Sequence, residues 1–373
     1  MIRVLIVIGT RPEAIKMAPV IKALKRKSAD FDILVCATAQ HREMLDQVFR
    51  TFQIAPDFDL NLMTPNQELA DLTSRVILKM NCVLTDVKPD ILLIQGDTTT
   101  VMAAALTAFY HKIPVGHVEA GLRTANPYSP FPEEMNRRLT SALATYHFAP
   151  TEHARKALIA EGRPVDRIFL TGNTGIDALH WILKQAPSGE ALDILERSNL
   201  TNGRKMILVT AHRRENHGRP FENICLGLRE LARRNPGIAI VYPVHRNPNV
   251  RRTAFSIISG SESIYLYDAV SHDTIIHLMK RASFILTDSG GIQEEAPALG
   301  KPVLVLREET ERPEGVQAGV ARIIGTRCEA IVAESERLLK DKSTYDRMAR
   351  AVSPYGDGRA AIRIAEILSH IKR

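Results

Sequence analysis

Short apolar runs rich in β-branched residues alternate with longer amphipathic stretches along most of this chain. Continuous apolar strands separated by helices are typical of parallel sheets that helices cover on both faces. The predicted strands are 4–8, 33–37, 91–95 and 115–118 in the first half, and 207–210, 238–242, 264–266, 284–287 and 303–306 in the second. The predicted helices include 13–27, 70–86, 221–235, 275–282 and 292–299. We therefore expect an α/β protein, and a length of 373 residues suggests two domains.

The charge balance favours a small anionic ligand over a nucleic acid. With 49 basic and 42 acidic residues the net charge is +7, and the basic residues are scattered rather than collected in a stripe. Only 5% of the residues are aromatic, so stacking platforms for single-stranded nucleic acid are scarce. We expect no nucleic-acid partner.

The sequence indicates neither a membrane span nor a disulfide framework. It has no apolar run of about 18 residues, and the apolar start at 2–8 is too short for a signal peptide. The four cysteines form no CxxC pair, and Cys36 and Cys225 stand in apolar surroundings that predict burial. We therefore expect a cytoplasmic protein.

Most of the predicted strands are followed directly by a small cluster of polar residues. The carboxyl ends of parallel strands form the ligand crevice of open α/β sheets, so these clusters are candidate binding loops. Strand-to-loop junctions are also rich in Gly, Thr and Asp for purely structural reasons. The clusters lie at 9–11, 38–41, 96–98, 119–121, 210–213, 244–246 and 288–291.

The segment 287–291 (TDSGG) is the best candidate anion site. Gly290 and Gly291 would let backbone N–H groups approach a phosphate, and the following helix start adds a favourable dipole. The alternative is an ordinary strand-to-helix turn.

Cationic side chains supply two further candidate elements. Pro12 fits the first position of a helix, and Lys16 falls about one helical turn beyond Arg11. Both side chains are either anion ligands or surface charges. Arg312 ends a segment with several acids, and it is either a bidentate clamp for a diphosphate or part of a self-paired loop. Neither GxGxxG nor a P-loop is present, which removes the common dinucleotide and nucleoside-triphosphate motifs.

Taken together, these segments resemble the non-hydrolysing UDP-N-acetylglucosamine 2-epimerases. The resemblance spans nearly the whole chain, and its motifs occur in the family's order. They are GTRPEAIK at 9–16, TAQHR at 38–42, GDTTT at 96–100, VGHVEAGLRT at 115–124, PFPEEMNR at 130–137, TAHRREN at 210–216, TDSGGIQEEAP at 287–297, TERPE at 310–314 and PYGDG at 354–358.

The resemblance implies two Rossmann-like domains facing a central cleft, the glycosyltransferase-B type. One domain would comprise 1–172 with about 358–373, because the last helix crosses back, and the other would comprise 173–357. It also implies a homodimer, no nicotinamide or other cofactor, no metal, and reversible epimerisation of UDP-GlcNAc to UDP-ManNAc at C2. The product would supply ManNAc-type sugars for cell-surface polysaccharide.

The resemblance further implies roles for individual residues. Asp97, Glu119, Glu133 and His212 would be catalytic. Substrate and UDP would be bound by Arg11, Lys16, Asp97, Glu119, Arg137, His212, Arg213, Ser289, Gly290, Gly291, Glu295 and Arg312, with Glu295 on the ribose. Without the resemblance, Asp97 reads as a helix N-cap, Glu133 as an acid in the first turn of a helix and His212 as a loop histidine.

This sequence departs from the family pattern in two places. Some bacterial members have an aromatic residue against the uracil where Ile275 stands here. Members that are activated by a second UDP-GlcNAc match at Gln40 and His41, but they differ at Glu43 and Asn66. We therefore expect weak or no activation by substrate at a second site.

Three other functions stay open at this stage. A UDP-sugar-dependent glycosyltransferase of the same fold would bind the same nucleotide. An epimerase for a diacetamido-uronic acid UDP-sugar would differ only in its contacts to the sugar. A nucleotide-sugar-binding regulator would bind without turnover.

Overall fold

Two groups of buried parallel strands form two structural units. The computed structural model describes residues 1–38, 42–62, 67–124, 126–198, 200 and 203–371, with only the backbone for 42–44. By their contacts, Met1–Ala178 and Gly356–Arg373 form the first unit, and Leu179–Tyr355 forms the second. The domain limits expected near residues 172 and 358 stay a prediction.

The first unit contains a parallel sheet that, within the described residues, has seven strands in the order β3-β2-β1-β4-β5-β6-β7. Its strands are β1 (Ile2–Ile8), β2 (Phe31–Ala37), β3 (Phe58–Asp59), β4 (Ile91–Gln95), β5 (Val115–Val118), β6 (Tyr146–Ala149) and β7 (Ile168–Leu170). Its helices before the second unit are α1 (Arg11–Lys25), α2 (Arg42–Phe52), α3 (Leu69–Val87), α4 (Thr99–Tyr110), α5 (Glu133–Leu143) and α6 (Glu152–Ala160). Helix α7 (Thr174–Ile182) contains the boundary between the two units. A short 3-10 turn precedes β7.

The second unit contains a parallel sheet that, over the described part of the chain, has six strands in the order β10-β9-β8-β11-β12-β13. Its strands are β8 (Lys205–Thr210), β9 (Ile238–Pro243), β10 (Ile264–Tyr267), β11 (Phe284–Thr287), β12 (Val303–Val305) and β13 (Ala321–Ile323). Its helices are α8 (Gly189–Arg197), α9 (Arg219–Arg234), α10 (Pro248–Ile258), α11 (His272–Arg281), α12 (Gly290–Ala298), α13 (Pro313–Gln317), α14 (Cys328–Lys340) and α15 (Lys342–Arg350). A 3-10 turn at Arg214–Asn216 follows β8.

The central strands of both sheets are buried on both faces. In β1 and β4 every residue from 4 to 8 and from 91 to 95 is buried, and β8 is buried from 206 to 210. This explains the continuous apolar runs in the sequence, because helices cover both sides of each sheet. Cys36 and Cys225 are buried, as predicted.

The predicted α/β class with two Rossmann-like domains is confirmed, and each strand predicted from the sequence is present within about two residues of its expected bounds. Strands β3, β6, β7 and β13 were not predicted. They are two to four residues long, and β6 contains Tyr146 and His147, so neither length nor apolar content distinguished them.

Strand order places a switch point in each unit. In the first sheet β1 lies between β2 and β4, and in the second β8 lies between β9 and β11. At such a point the chain leaves neighbouring strands in opposite directions, which opens a crevice beyond their carboxyl ends. The loops at these positions are 9–10 and 96–98 in the first unit, and 211–213 and 288–289 in the second.

The last helix, α16 (Ala360–His370), belongs to the first unit and packs against α1. The Asp177 carboxylate accepts hydrogen bonds from the N–H groups of Ala360 (3.1 Å) and Ala361 (2.9 Å), so it caps α16 from another helix. Gly172 and Gly356 let the two segments cross closely: both have positive φ, and a Cβ on Gly172 would lie 3.4 Å from Cα of Gly356. The sequence-based prediction that the last helix returns to the first domain agrees with this packing.

Within the described residues, no helix has the length and apolar character needed to cross a membrane.

Candidate active site

Glu119 follows β5 in a backbone conformation that is unfavourable for its residue type. Its φ is +64°, the left-handed region, which costs a non-glycine residue roughly 1–2 kcal/mol. The side chain is 8% exposed, and Lys16 Nζ lies 2.5 Å from Oε2 and 2.7 Å from Oε1. Gln95, the last residue of β4, donates to Oε2 at 2.6 Å. The fold therefore holds this carboxylate in a fixed place at the end of the sheet.

Asp97 follows the neighbouring strand and has its own cation. Arg137 on α5 donates to Oδ2 from Nε (2.9 Å), and its Nη2 lies 2.6 Å from the same oxygen. Asn136 donates to the Asp97 carbonyl at 2.9 Å. The N-cap of α4 is Thr98, which accepts from the N–H of Val101. The alternative that Asp97 caps this helix is therefore wrong, and its carboxylate pairs with Arg137 instead.

His117 supports the same loop from inside the sheet. Its Nε2 lies 2.7 Å from the carbonyl oxygen of Gly96, so Nε2 carries the proton that is donated. Burial lowers the pKa of His117 to about 4, which keeps the imidazole neutral. Its Nδ1 is buried without a partner among the described residues.

Glu13, which the sequence did not single out as a site residue, joins the loops after β1 and β4. One carboxylate oxygen accepts from the N–H of Gly9 (2.5 Å) and of Thr10 (3.2 Å), and the other accepts from the Thr98 hydroxyl (2.7 Å). Burial raises the pKa of Glu13 to about 7, although these hydrogen bonds favour the ionised form. Glu13 thus holds together the two loops that border the switch-point crevice of the first unit.

Arg11 and Glu133 are the less constrained site residues of this unit. Arg11 begins α1, and burial lowers the pKa of its guanidinium; no described residue accepts a hydrogen bond from it. A partly buried arginine that is bound by no described residue is suited to an anionic ligand. Glu133 is the partly exposed first residue of α5.

In the second unit, buried Asp288 organises the loop after β8. Its carboxylate accepts from the N–H groups of His212 (2.9 Å) and Arg213 (2.8 Å) and from Nδ2 of Asn216 (3.0 Å). Asn216 also donates to the carbonyl of Leu306. Asp288 stands in the TDSGG motif, but its role as an internal acceptor is a long-range contact that the motif does not reveal.

The Ser-Gly-Gly segment forms the start of α12, as predicted. Ser289 is the N-cap, and the helix begins at Gly290. A Cβ on Gly290 would lie 3.5 Å from Arg213 Nη2 and 3.6 Å from Arg312 Nη2, so two guanidinium groups lie at the helix start. Helix N–H groups and arginines together make a site for a phosphate group.

Arg312 is held by acids of its own unit. Its Nε donates to the buried carboxylate of Glu294, and its Nη1 donates to the Glu311 carbonyl at 3.2 Å. Arg307 is 6% exposed and pairs with Glu215 and Glu311, so the acidic segment 307–312 is self-paired around a buried arginine. The two alternatives given above for Arg312 are thus compatible with one another.

His212 stacks on a second histidine, His245, with ring centroids 5.0 Å apart and an interplanar angle of 16°. Desolvation lowers the pKa of His212, the Asp288 charge opposes this, and His245 and Arg213 add to the lowering. A neutral imidazole at this place can accept or donate one proton. His245 was not predicted as a site residue, although it stands in the polar cluster after β9.

Glu295 lies one helical turn beyond Gly291 on α12. Its Oε1 is 3.1 Å from Nε2 of His272, the first residue of α11, and both side chains are mostly buried.

Gln40 and His41, the residues expected at a second substrate site, lie outside the described residues, as do the side chain of Glu43 and all of Asn66. Over the part of the chain that the structure describes, no cluster of three His, Cys, Asp or Glu residues could hold a metal ion.

Known proteins share this sequence and fold over nearly the whole chain. A family model described as UDP-N-acetylglucosamine 2-epimerase matches residues 22–369. The UDP-N-acetylglucosamine 2-epimerase of Salmonella typhimurium is 54% identical over 369 residues, which cover 98% of this chain and 98% of that protein. The enzyme of the same name from Campylobacter jejuni is 49% identical over 372 residues, 98% of this chain and 97% of that protein.

Solved structures give the same result. The crystal structure of UDP-GlcNAc 2-epimerase from Neisseria meningitidis bound to UDP-GlcNAc is 49% identical and matches with a TM-score of 0.89 over 98% of this chain and 99% of that one. The enzyme from Methanocaldococcus jannaschii is 34% identical, with a TM-score of 0.85 over 99% of this chain and 100% of that one. The resemblance found in the motifs is confirmed, and the chain belongs to the UDP-N-acetylglucosamine 2-epimerase family.

Proposed function

We propose that this chain interconverts UDP-GlcNAc and UDP-ManNAc by inverting C2 of the sugar. The observation that carries the proposal is the pair of carboxylates at adjacent strand ends: Glu119, held by Lys16 and Gln95, and Asp97, held by Arg137. Membership in the family supports the same activity.

The chemistry explains why such carboxylates are needed. Carbon 2 bears an unactivated hydrogen, and no adjacent carbonyl stabilises a carbanion. Expulsion of UDP breaks the C1–O bond, and its electron pair leaves with the β-phosphate oxygen. Loss of the C2 proton from the oxocarbenium-like centre to a carboxylate then gives 2-acetamidoglucal. Delivery of a proton to the other face of C2 and re-addition of the UDP oxygen at C1 complete the inversion.

The nucleotide is bound mainly by the second unit in this proposal. The N–H groups at Gly290 and Gly291 and the guanidinium groups of Arg213 and Arg312 stabilise the charge that develops on the leaving diphosphate. Ser289 contributes as the N-cap residue of the same helix, and Glu295 accepts from the ribose hydroxyls.

Residues of the first unit act on the sugar and on the diphosphate. Asp97, Glu119 and Glu133 are the catalytic carboxylates, and Arg137 orients the first of them. Arg11 and Lys16 contribute positive charge toward the diphosphate. His212 of the second unit, neutral because its pKa is lowered, acts as an uncharged proton donor or acceptor.

Incubation with UDP-GlcNAc alone in deuterated water tests this function. We expect UDP-ManNAc that carries deuterium at C2, detected by proton NMR and mass spectrometry. A glycosyltransferase would leave UDP-GlcNAc unlabelled without an acceptor, and a hydrolysing enzyme would release free ManNAc and UDP. A UDP-diacetamido-uronic acid tested in parallel under the same conditions distinguishes the related epimerase.

We also propose a homodimer formed through an apolar patch on α3 and α4. Leu78, Phe109 and Tyr110 are 67%, 58% and 65% exposed on these two packed helices. Exposed apolar residues of this size on adjoining helices are typical of an interface. Light scattering should give a mass in solution of twice that of the chain, and Phe109→Ser should lower it to the mass of a single chain.

The proposal also includes a cytoplasmic location and a supply of ManNAc-type sugars for cell-surface polysaccharide.

The second substrate site proposed around Gln40 and His41 is expected to respond weakly, because Glu43 and Asn66 depart from the family pattern. The measurement is the reverse reaction from pure UDP-ManNAc. Absence of a lag is the expected result, and a long lag abolished by trace UDP-GlcNAc would contradict it.

A further inference from the structure

The proposed function assigns Glu295 to the ribose but gives no role to the contact that Glu295 makes with His272. His272 Nε2 lies 3.1 Å from Glu295 Oε1, and the two side chains are 21% and 12% exposed. An ion pair or charge-assisted hydrogen bond between two largely buried side chains keeps its geometry better than one between two exposed side chains. The contact therefore fixes the orientation of the Glu295 carboxylate.

His272 itself starts from a fixed position. It is the first residue of α11, whose N-cap is Ser271. The carboxylate of Glu190 accepts from the N–H (3.2 Å) and hydroxyl (2.9 Å) of Ser271 and from the hydroxyl of buried Thr274 (2.7 Å). These bonds fasten the first turn of α11 to α8, so the imidazole projects from an ordered helix end.

Glu295 shares a face of α12 with the open helix start. It follows Gly291 by four residues, which places it one turn, about 6 Å, further along the axis on the same side. Gly291 is exposed, and a Cβ built on it would meet nothing within 4 Å. A diphosphate bound at the N–H groups of this helix start would thus have its attached ribose beside Glu295.

With Oε1 engaged by His272, the second oxygen of Glu295 is directed elsewhere. A carboxylate accepts up to about four hydrogen bonds, and ribose offers two adjacent hydroxyl donors.

We infer that His272 is a positioning residue that holds Glu295 for the ribose hydroxyls of a nucleoside diphosphate, so that the pair makes the enzyme selective for ribonucleotides. This inference rests on the proposed function, which places Glu295 on the ribose.

The test compares UDP, 2′-deoxyuridine diphosphate and inorganic pyrophosphate by titration calorimetry. The proteins are the wild type, His272→Ala, His272→Gln, Glu295→Gln and the double variant His272→Ala/Glu295→Gln. Gln is included because its amide places a donor near the position of Nε2. Thermal melting of each variant checks that it is folded.

We expect His272→Ala to weaken UDP binding about tenfold, the usual size for one charge-assisted hydrogen bond. The same change should alter the binding of the deoxynucleotide and of pyrophosphate by less than about twofold, because neither offers the full ribose diol. His272→Gln should recover most of the affinity for UDP. The double variant should bind UDP as Glu295→Gln does, since His272 acts through Glu295.

The failures are distinguishable. If Glu295→Gln leaves the preference for UDP over the deoxynucleotide unchanged, the ribose role of Glu295 is wrong, and the inference falls with it. If Glu295→Gln removes the preference but His272→Ala keeps it, only the role of His272 is wrong. Equal weakening of all three ligands by His272→Ala would overturn the inference in favour of a general distortion of α11.

Discussion

Lys16 and Glu119 are 103 positions apart, yet Lys16 Nζ lies within 2.7 Å of both carboxylate oxygens of Glu119. One residue comes from α1 after β1, and the other follows β5, two strands away across the sheet. Lys16 is a candidate for binding the diphosphate, and Glu119 is a candidate catalytic carboxylate. Because their charges are in contact, a change of charge at one of them alters the electrostatic environment of the other.

Lys16→Met should lower kcat/KM for UDP-GlcNAc by about a hundredfold. The change removes the cation that holds Glu119 and one positive charge proposed for the leaving diphosphate, effects of the size seen when one electrostatic group is lost. Initial rates of C2 deuterium incorporation measure it. Lys25→Met, an exposed position on the same helix, is the matched control and should keep the wild-type rate.

Asp97→Asn should abolish turnover, by about a thousandfold or more, while UDP binding stays within about threefold of the wild type. Asn keeps the shape of the side chain and loses the charge that pairs with Arg137 and serves the reaction. Rate assays and calorimetry with UDP give the two readings. The exposed Asp86→Asn on α3 is the control, and a variant at Asp97 that still turns over would exclude a catalytic role for this carboxylate.

Glu13 should make stability fall as the pH rises from about 4.5 to about 7. Its pKa is about 7 in the folded chain against an ordinary value of 4.5, so the folded chain binds this proton more tightly. The stabilisation is complete below the unfolded pKa and is lost as the pH rises through the folded one, with an upper bound of about 3 kcal/mol.

Thermal melting of wild type and Glu13→Gln from pH 4.5 to 8 measures this effect. The melting temperature of the wild type relative to that of the variant should be highest at the acidic end and should decline by several degrees toward pH 8. Exposed Glu68→Gln serves as the control for the pH dependence of the rest of the chain. A constant difference between wild type and Glu13→Gln would contradict the raised pKa.

Asp288→Asn should destabilise the second unit by about 2–3 kcal/mol and weaken UDP binding. One carboxylate oxygen, Oδ2, accepts from the N–H groups of His212 and Arg213 and from Asn216. The substitution removes the negative charge that strengthens these bonds, and an amide nitrogen in place of either oxygen would face donors. The loop that carries both residues then loses its fixed position. Melting curves and UDP titrations check this, with exposed Asp193→Asn on α8 as the control; an unchanged UDP affinity would show that the loop keeps its place without Asp288.

The sequence predicted the local structure around a candidate site residue where that residue belongs to a continuous motif. Ser289, Gly290 and Gly291 stand at a helix start because a strand ends at Thr287, and this is a local property of the chain. It could not predict that Asp288 would be a buried acceptor for residues more than 70 positions away, because that depends on β8 and β11 being neighbours.

The sequence by itself determined the alternation of buried strands and covering helices, the motifs at the strand ends and the family, because burial and helical periodicity act on residues that are close in the chain. Only the tertiary structure decided which loops meet. The strand order put β1 next to β4 and β8 next to β11, and it brought Lys16 to Glu119, Arg137 to Asp97 and His272 to Glu295. The physical reason is that these pairings depend on the register and order of parallel strands, which no local pattern encodes.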